Sequence, residues 1–177
     1  MLAPVVNPYP EMTIAVGDDI FKRRCQPLSD FDPEDRNFLN AYNYWQSKRK
    51  DGLLPSRRDI DIIDLRPLIG YTHVIDVGNA AAGEFFVRIR GGNIRTGAAF
   101  NKPNVIDIES QAMRQALLED YQTVCFTGVP SYHYVVACVD FIRYSYSRLI
   151  LPMANDGRTV DTLMIFINKR EFKDFSV

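Results

Sequence analysis

The sequence predicts an α+β domain in which a five-stranded antiparallel sheet carries helices on one face. Three observations indicate this fold class. Two short β-rich runs form a hairpin between Tyr71 and Gly91, an amphipathic helix spans Gln111–Thr127, and three more β-rich runs follow that helix. Two strands, a helical crossing and a three-stranded meander are the order expected of one antiparallel sheet with a buried face.

The hairpin is predicted by the alternation of its residues. Phe85, Val87 and Ile89 alternate with Phe86, Arg88 and Arg90, so that a strand would place the three apolar groups on one face and the two arginines on the other. The preceding run, Tyr71–Val77, is also β-rich, and a stretch of small residues separates the two runs. We therefore expect an antiparallel pair with one buried face.

An N-terminal helix is predicted over residues 32–51. Asp32 is a suitable N-cap, Pro33 fits the first helical position, and Gly52 ends the helix. An aromatic stripe follows at helical spacing and consists of Phe38, Tyr42 and Trp45. This stripe needs a flat apolar surface to pack against. The surface is either the sheet of the same chain or a second subunit. In the second case, the three residues form a candidate dimer interface.

The second half of the chain is marked by clear caps and turns. Ser110 precedes the helix Gln111–Thr127 and Gly128 follows it. The three later strands are predicted at Tyr132–Val139, Phe141–Leu151 and Thr159–Ile167, with a strong turn signal, Asn155-Asp156-Gly157, before the last. In the middle strand Arg143, Ser145 and Ser147 alternate with Tyr144, Tyr146 and Arg148, which indicates one solvated or functional face.

The two ends of the chain have weaker patterns. Residues 1–31 contain several prolines and no strong period, and we predict a partly ordered arm or a partner-binding arm there. The domain is predicted to occupy residues 32–167. Residues 168–177 form a charged tail that includes Phe172 and Phe175.

Composition argues against several classes of protein. The net charge is −1 and no long basic run occurs, so nucleic-acid binding is not expected. The three cysteines, Cys25, Cys125 and Cys138, form no disulfide pattern, which favours a reducing compartment. No signal peptide and no apolar run of membrane-spanning length is visible, so we expect a cytoplasmic protein with no membrane partner.

Several motifs resemble a family of stand-alone bacterial PAS-like proteins. The similarity covers roughly Asp32–Ile167. It departs at Ile62, where the family often has proline, and at Gly97–Asp107, a segment that borders the usual PAS pocket. The matching motifs are Trp45-x-x-x-Arg49, the segment from Leu54 to Asp61, Val87-Arg88-Ile89-x-Gly91, Gly128-x-Pro130 and Leu149-Ile150-Leu151-Pro152.

The resemblance implies a pocket between the inner sheet face and the short helices. Candidate polar groups for binding a ligand there are His73, Arg88 and Tyr134. The planar fork of Arg88 could hold a carboxylate or phosphate, although pairing with Asp76 across the hairpin is the simpler alternative. His73 and His133 could each ligate haem iron, but a lone strand histidine is more often packed or hydrogen-bonded. The sequence identifies no cofactor.

The function implied is that of a non-catalytic sensory or regulatory module. It would bind a small molecule, form a homodimer and act through an unidentified signalling protein, because no effector segment is visible. A ligand-free dimerisation or protein-interaction adaptor is the alternative. An enzyme is disfavoured, since no nucleophile elbow, phosphate loop, zinc-ligand spacing or Cys/His nucleophile context occurs.

Overall fold

The computed structural model describes residues 10–94 and 101–177. Within them, the chain forms one seven-stranded antiparallel sheet and two α-helices. Gly97, Ala98 and Ala99, in the segment that departs from the PAS-like pattern, lie outside the described residues, as do the first nine residues of the predicted arm. The strands are β1 (Glu11–Val16), β2 (Asp19–Gln26), β3 (Thr72–Val77), β4 (Phe85–Ile89), β5 (Ser131–Val139), β6 (Ile142–Met153) and β7 (Thr162–Lys169).

The spatial order of the sheet is β1-β2-β5-β6-β7-β3-β4. The predicted hairpin is β3–β4, and the predicted meander is β5–β6–β7. The last strand of the meander, β7, pairs with β3 and so joins the two parts. The predicted α+β class, with an antiparallel sheet, is confirmed.

The prediction of five strands was wrong, because a hairpin in the region expected to be an arm adds two more. Strand β2 pairs with β5 along its whole length, and β1 pairs with β2 across a turn at Gly17, whose φ is 60°. Strand β1 is short and largely exposed, and β2 is half-buried and carries the polar run Lys22-Arg23-Arg24, so neither has a strong apolar period. Whether residues 1–31 separate from the domain as an arm stays a prediction.

The two helices are α1 (Arg36–Ser47) and α2 (Gln111–Thr127). For α2 the predicted bounds are those of the structure: the Ser110 side chain accepts a hydrogen bond from the Met113 amide, and Gly128 ends the helix at φ 63°. Helix α1 is shorter than predicted because Pro33–Asp35 form a separate 3-10 turn. Within the described parts of the chain, no helix is long and apolar enough to cross a membrane.

The helices lie on opposite faces of the sheet, whereas the prediction placed them on one. The strand register places Tyr132, Leu149 and Phe166 side by side. Phe38 of α1 packs against Tyr132 and Phe166, with its ring centroid 6.3 Å from each of theirs. We call this side the outer face. On each strand the adjacent residue points to the opposite side, which we call the inner face; these residues are His133, Arg148 and Ile167. Asp120 of α2 binds Arg148 there.

Candidate functional site

A cavity of about 390 Å³ lies on the inner face of the sheet. Its walls come from strands β3, β4, β6 and β7, from α2, and from the segments on either side of residues 95–100. Five of its lining residues are apolar and buried, namely Ile75, Val105, Ile108, Met113 and Leu117. The cavity is therefore built between the inner face of the sheet, α2 and the 3-10 turn Val105–Asp107. The resemblance implied a pocket between that face and the short helices, whereas the long helix α2 forms much of the wall.

The described residues around the cavity carry an excess of positive charge. Five cationic side chains line it, namely Arg90, Lys102, Arg143, Arg148 and Lys169, against one carboxylate, that of Glu171. Arg143 and Lys169 are exposed, whereas Arg148 is only 1% exposed. The cavity thus has charged groups at its exposed end and one buried guanidinium among its walls.

Arg148 is anchored by α2 and by the neighbouring strand β5. Its Nη2 donates to Asp120 Oδ2 and contacts His133 Nδ1 at 3.0 Å. Asp120 also accepts a hydrogen bond from Arg23 Nε of strand β2 at 2.7 Å. A single buried carboxylate is therefore shared by two guanidinium groups.

The remaining nitrogens of Arg148 are not satisfied. Its Nε and Nη1 are buried and have no hydrogen-bond partner among the described residues. Burial lowers the pKa of Arg148, but the nearby Asp120 carboxylate more than offsets this and raises it. The same pairing holds the pKa of Asp120 below its usual value despite burial. Both groups stay ionised, so Arg148 presents a charge and free donors next to the cavity.

Of the sequence-predicted ligand residues, His73 lies at the cavity. Burial, together with the positive charge of Arg90, lowers the pKa of His73 to about 4. Its Nδ1 accepts a hydrogen bond from the Gly91 amide at 3.4 Å, which leaves the ring proton on Nε2. His73 therefore contributes a neutral imidazole to the cavity wall at pH 7.

A family model described as PAS domain matches residues 34–163. The chain belongs to the PAS domain family. No curated protein and no solved structure matches it. The match confirms the resemblance inferred from the sequence motifs, and it identifies the chain as a sensory or regulatory type of module, a class that is generally non-catalytic.

The other two predicted ligand residues of this PAS domain lie on the outer face. Arg88 Nε donates to Asp76 Oδ2 at 2.6 Å, which is the pairing that the sequence analysis gave as the simpler alternative. The Tyr134 hydroxyl donates to Asp32 Oδ2 at 3.0 Å, and its ring stacks on Phe172 at 4.5 Å. The structure does not bring these residues together with His73, and ligand contacts by them stay predictions.

The aromatic stripe of α1 packs mainly within the chain. Phe38 and Trp45 are each 1% exposed, and the Trp45 indole donates to the Pro152 carbonyl at 2.9 Å. Tyr42 is half-buried and stacks on Trp45, with ring centroids 6.2 Å apart. Docking on the sheet of the same chain therefore uses two of the three residues, and a dimer interface at this stripe stays a prediction.

Sequence reasoning did not select Arg148 as a site residue. Two signals could have identified it. Arg148 continues the alternation of Tyr144 and Tyr146 along β6, and Asp120 interrupts the apolar side of α2 close to Leu117. A carboxylate on the buried side of one element and an arginine on the buried side of another indicate an internal ion pair.

Possible metal ligands are not clustered in the described part of this PAS domain. Within the parts of the chain that the structure describes, no group of three or more histidine, cysteine, aspartate or glutamate side chains is arranged to hold a metal ion. The sequence identified no cofactor, and the lining residues select no particular prosthetic group. The chemistry of the cavity is that of a binding site with apolar walls and cationic donors.

Proposed function

We propose that this PAS domain binds a small molecule in its inner-face cavity without transforming it, and that occupancy of the cavity is the signal it transmits. The observation that carries this proposal is the cavity itself. Its volume of about 390 Å³ falls within the range typical of small-molecule sites. Apolar walls with a few polar groups, here the buried Arg148 and the half-buried His73, are the usual composition of such sites.

Transmission to a protein partner is the second part of the proposal. The domain would work as a homodimer in the cytoplasm and pass its state to a signalling protein. Family membership supports this role, since PAS domains often mediate protein interaction and dimerisation. Light scattering across a range of concentrations tests the assembly: we expect twice the 20.3 kDa chain mass. A constant monomer mass would exclude the homodimer.

Binding in the cavity is tested with octanamide, an uncharged probe with a linear apolar body. We expect saturable shifts of inner-face amide resonances in a ¹⁵N-labelled sample. Leu117→Trp places an indole in the cavity, because Leu117 lines it and is 7% exposed, and should weaken binding at least tenfold. The matched control is Leu39→Trp, since Leu39 lies on α1 and is 38% exposed.

The outcome separates cavity binding from surface adsorption. Binding that survives Leu39→Trp and is lost in Leu117→Trp supports the proposal, provided that thermal unfolding shows both variants to be folded. If octanamide binds both variants alike, or if neither octanamide nor its charged counterpart octanoate binds the wild-type chain, the cavity is not the ligand site.

A further inference from the structure

We propose that the cavity is selective for a monocarboxylate with an apolar body, and that Arg148 is the group that binds the carboxylate. This inference rests on the proposed function and names the class of ligand. The charge balance, the free donors and the apolar walls around Arg148 support it.

Among its buried side chains, the cluster next to the cavity has one more positive charge than negative. It contains two guanidinium groups, Arg23 and Arg148, and one carboxylate, Asp120, whose side chain is 1% exposed. A second carboxylate, that of Glu119, lies 3.8 Å from Arg23 Nη2 but is 52% exposed, so solvent screens its compensation of Arg23. His133 is neutral, because burial lowers its pKa to about 3. An unbalanced charge in a low-dielectric interior is costly, and a monoanion in the cavity would balance this one.

The hydrogen-bonding capacity of Arg148 points to the same ligand. Nη2 is occupied by Asp120 and His133, whereas Nε and Nη1 have no partner among the described residues. A buried donor without an acceptor costs about 1–3 kcal/mol. Arg148 also lines the cavity, so an acceptor placed there can reach it. A carboxylate offers two oxygens, and charge-assisted bonds to guanidinium are stronger than those between neutral groups.

Two tyrosines near Arg148 are suited to support the anion. Tyr121 and Tyr146 line the cavity and interact electrostatically with Arg148. Burial raises the pKa of both phenols, that of Tyr146 to about 12. Their hydroxyls therefore keep their protons at neutral pH, and each can donate a hydrogen bond to an anion without adding negative charge.

The apolar walls of the cavity favour an apolar body for the remainder of the ligand. The buried residues Ile75, Val105, Ile108, Met113 and Leu117 offer no charge to a second polar group. An apolar body therefore suits the wall, while the single net charge of the cluster suits a monocarboxylate better than a phosphate dianion. The exposed cations Arg143 and Lys169 would attract such an anion towards the opening.

The experiment compares octanoate with octanamide, which has the same shape and no charge. Isothermal titration calorimetry at pH 7 should show octanoate binding at least tenfold more tightly. Equal affinities would overturn the carboxylate selectivity while leaving the cavity as a ligand site. If neither compound binds, both the selectivity and the proposed function fail.

Variants assign the preference to Arg148. Arg148→Gln should bring the octanoate-to-octanamide affinity ratio close to one, whereas Arg143→Gln, which changes an exposed cation of the same cavity, should keep most of it. If Arg143→Gln abolishes the preference and Arg148→Gln does not, the assignment is wrong. Should Arg148→Gln not fold, Tyr146→Phe provides the test: it should weaken octanoate about threefold and leave octanamide unchanged, and equal effects on both would contradict the subsite.

Discussion

Asp35 is a buried carboxylate on the outer face whose oxygens are fully engaged. It is 1% exposed and lies just before α1. It accepts hydrogen bonds from the Tyr132 and Ser147 hydroxyls, both at 2.6 Å, and from Asn168 Nδ2 at 2.8 Å. Arg170 Nη1 donates a further bond at 2.7 Å. This one side chain therefore ties the start of α1 to three strands and to the C-terminal segment.

Removing the charge of Asp35 should destabilise the domain. Asp35→Asn leaves the cation of Arg170 with less compensation and replaces an acceptor by a donor, so we expect the free energy of unfolding to fall by about 3 kcal/mol. Urea unfolding measures this. Glu34→Gln is the control, because Glu34 is 69% exposed and lies 3.7 Å from the same arginine, and it should change the free energy by less than about 1 kcal/mol. Equal effects would show that Asp35 acts only as a surface charge.

His73 should make stability depend on pH. Its pKa is about 4 in the folded chain, against 6.5 when unperturbed, because of burial and Arg90. Between these values the unfolded chain binds more protons, so the free energy of unfolding falls as the pH is lowered from about 6.5 to about 4. The contribution of His73 reaches at most about 1.4 kcal/mol per pH unit.

The check on His73 is a series of denaturant titrations across that range of pH. His73→Gln should flatten the dependence, and the remaining slope should include the contribution of His133, whose pKa is about 3. An unchanged slope in the variant would mean that His73 titrates alike in the folded and unfolded chains.

Two arginines, Arg88 and Arg148, differ in how well the sequence predicted their partners. It proposed Arg88 pairing with Asp76 as an alternative, and this pairing is what the structure contains. It did not select Arg148, because the two signals for its burial lie on different elements: its partner Asp120 is 28 positions away, on α2. A charged side chain is predicted to be exposed unless its buried partner is also identified.

At the scale of elements, the hairpin of β1 and β2 is an integral part of the sheet. Phe21 of β2 is 0% exposed and belongs to the hydrophobic core. Arg23 of the same strand bonds to α2 through Asp120. The hairpin therefore covers the edge of β5, which would otherwise offer unpaired backbone groups.

A pair of Phe→Ala substitutions tests this role of the hairpin. Phe21→Ala should lower the free energy of unfolding by about 3–5 kcal/mol, since it opens a cavity in the core. Phe141→Ala is the control: Phe141 lies in the turn between β5 and β6, is 86% exposed, and should change the free energy by at most about 0.5 kcal/mol. A small effect at Phe21 would mean that the hairpin is detached in solution.

The elements also differ in how well the sequence predicts them. Helix α2 was predicted with its observed bounds, because Ser110 and Gly128 are strong local signals and its apolar spacing is regular. The β1–β2 hairpin was missed although Gly17 marks its turn, since β1 alternates over only six, largely exposed residues and the polar run Lys22-Arg23-Arg24 interrupts β2. The placement of α1 and α2 on opposite faces depends on contacts distant in sequence, which no local pattern contains.

At the scale of the whole molecule, one hydrophobic core spans both faces of the sheet. It includes Trp45 of α1, Phe21 of β2 and Tyr121 of α2. Trp45, the single tryptophan, is 1% exposed on the outer face. Its fluorescence therefore reports on the packing of α1, while circular dichroism reports on the sheet and both helices.

We expect these two probes to record a single cooperative transition in urea. The midpoints from Trp45 fluorescence and from far-ultraviolet circular dichroism should coincide, because the shared core couples the two faces. A fluorescence transition at clearly lower urea would show that α1 detaches before the sheet unfolds. Phe38→Leu, which loosens the contact of α1 with Tyr132 and Phe166, should move both midpoints together.

Two consecutive residues of β6 connect the two sides of the sheet. Ser147 reaches Asp35 at the start of α1, and Arg148 reaches Asp120 in the middle of α2. Because adjacent side chains of a strand point in opposite directions, the anchors of both helices share one stretch of backbone. We therefore expect a displacement of this dipeptide to be transmitted to the anchors of both helices, which couples the two sides of the sheet through one segment of backbone.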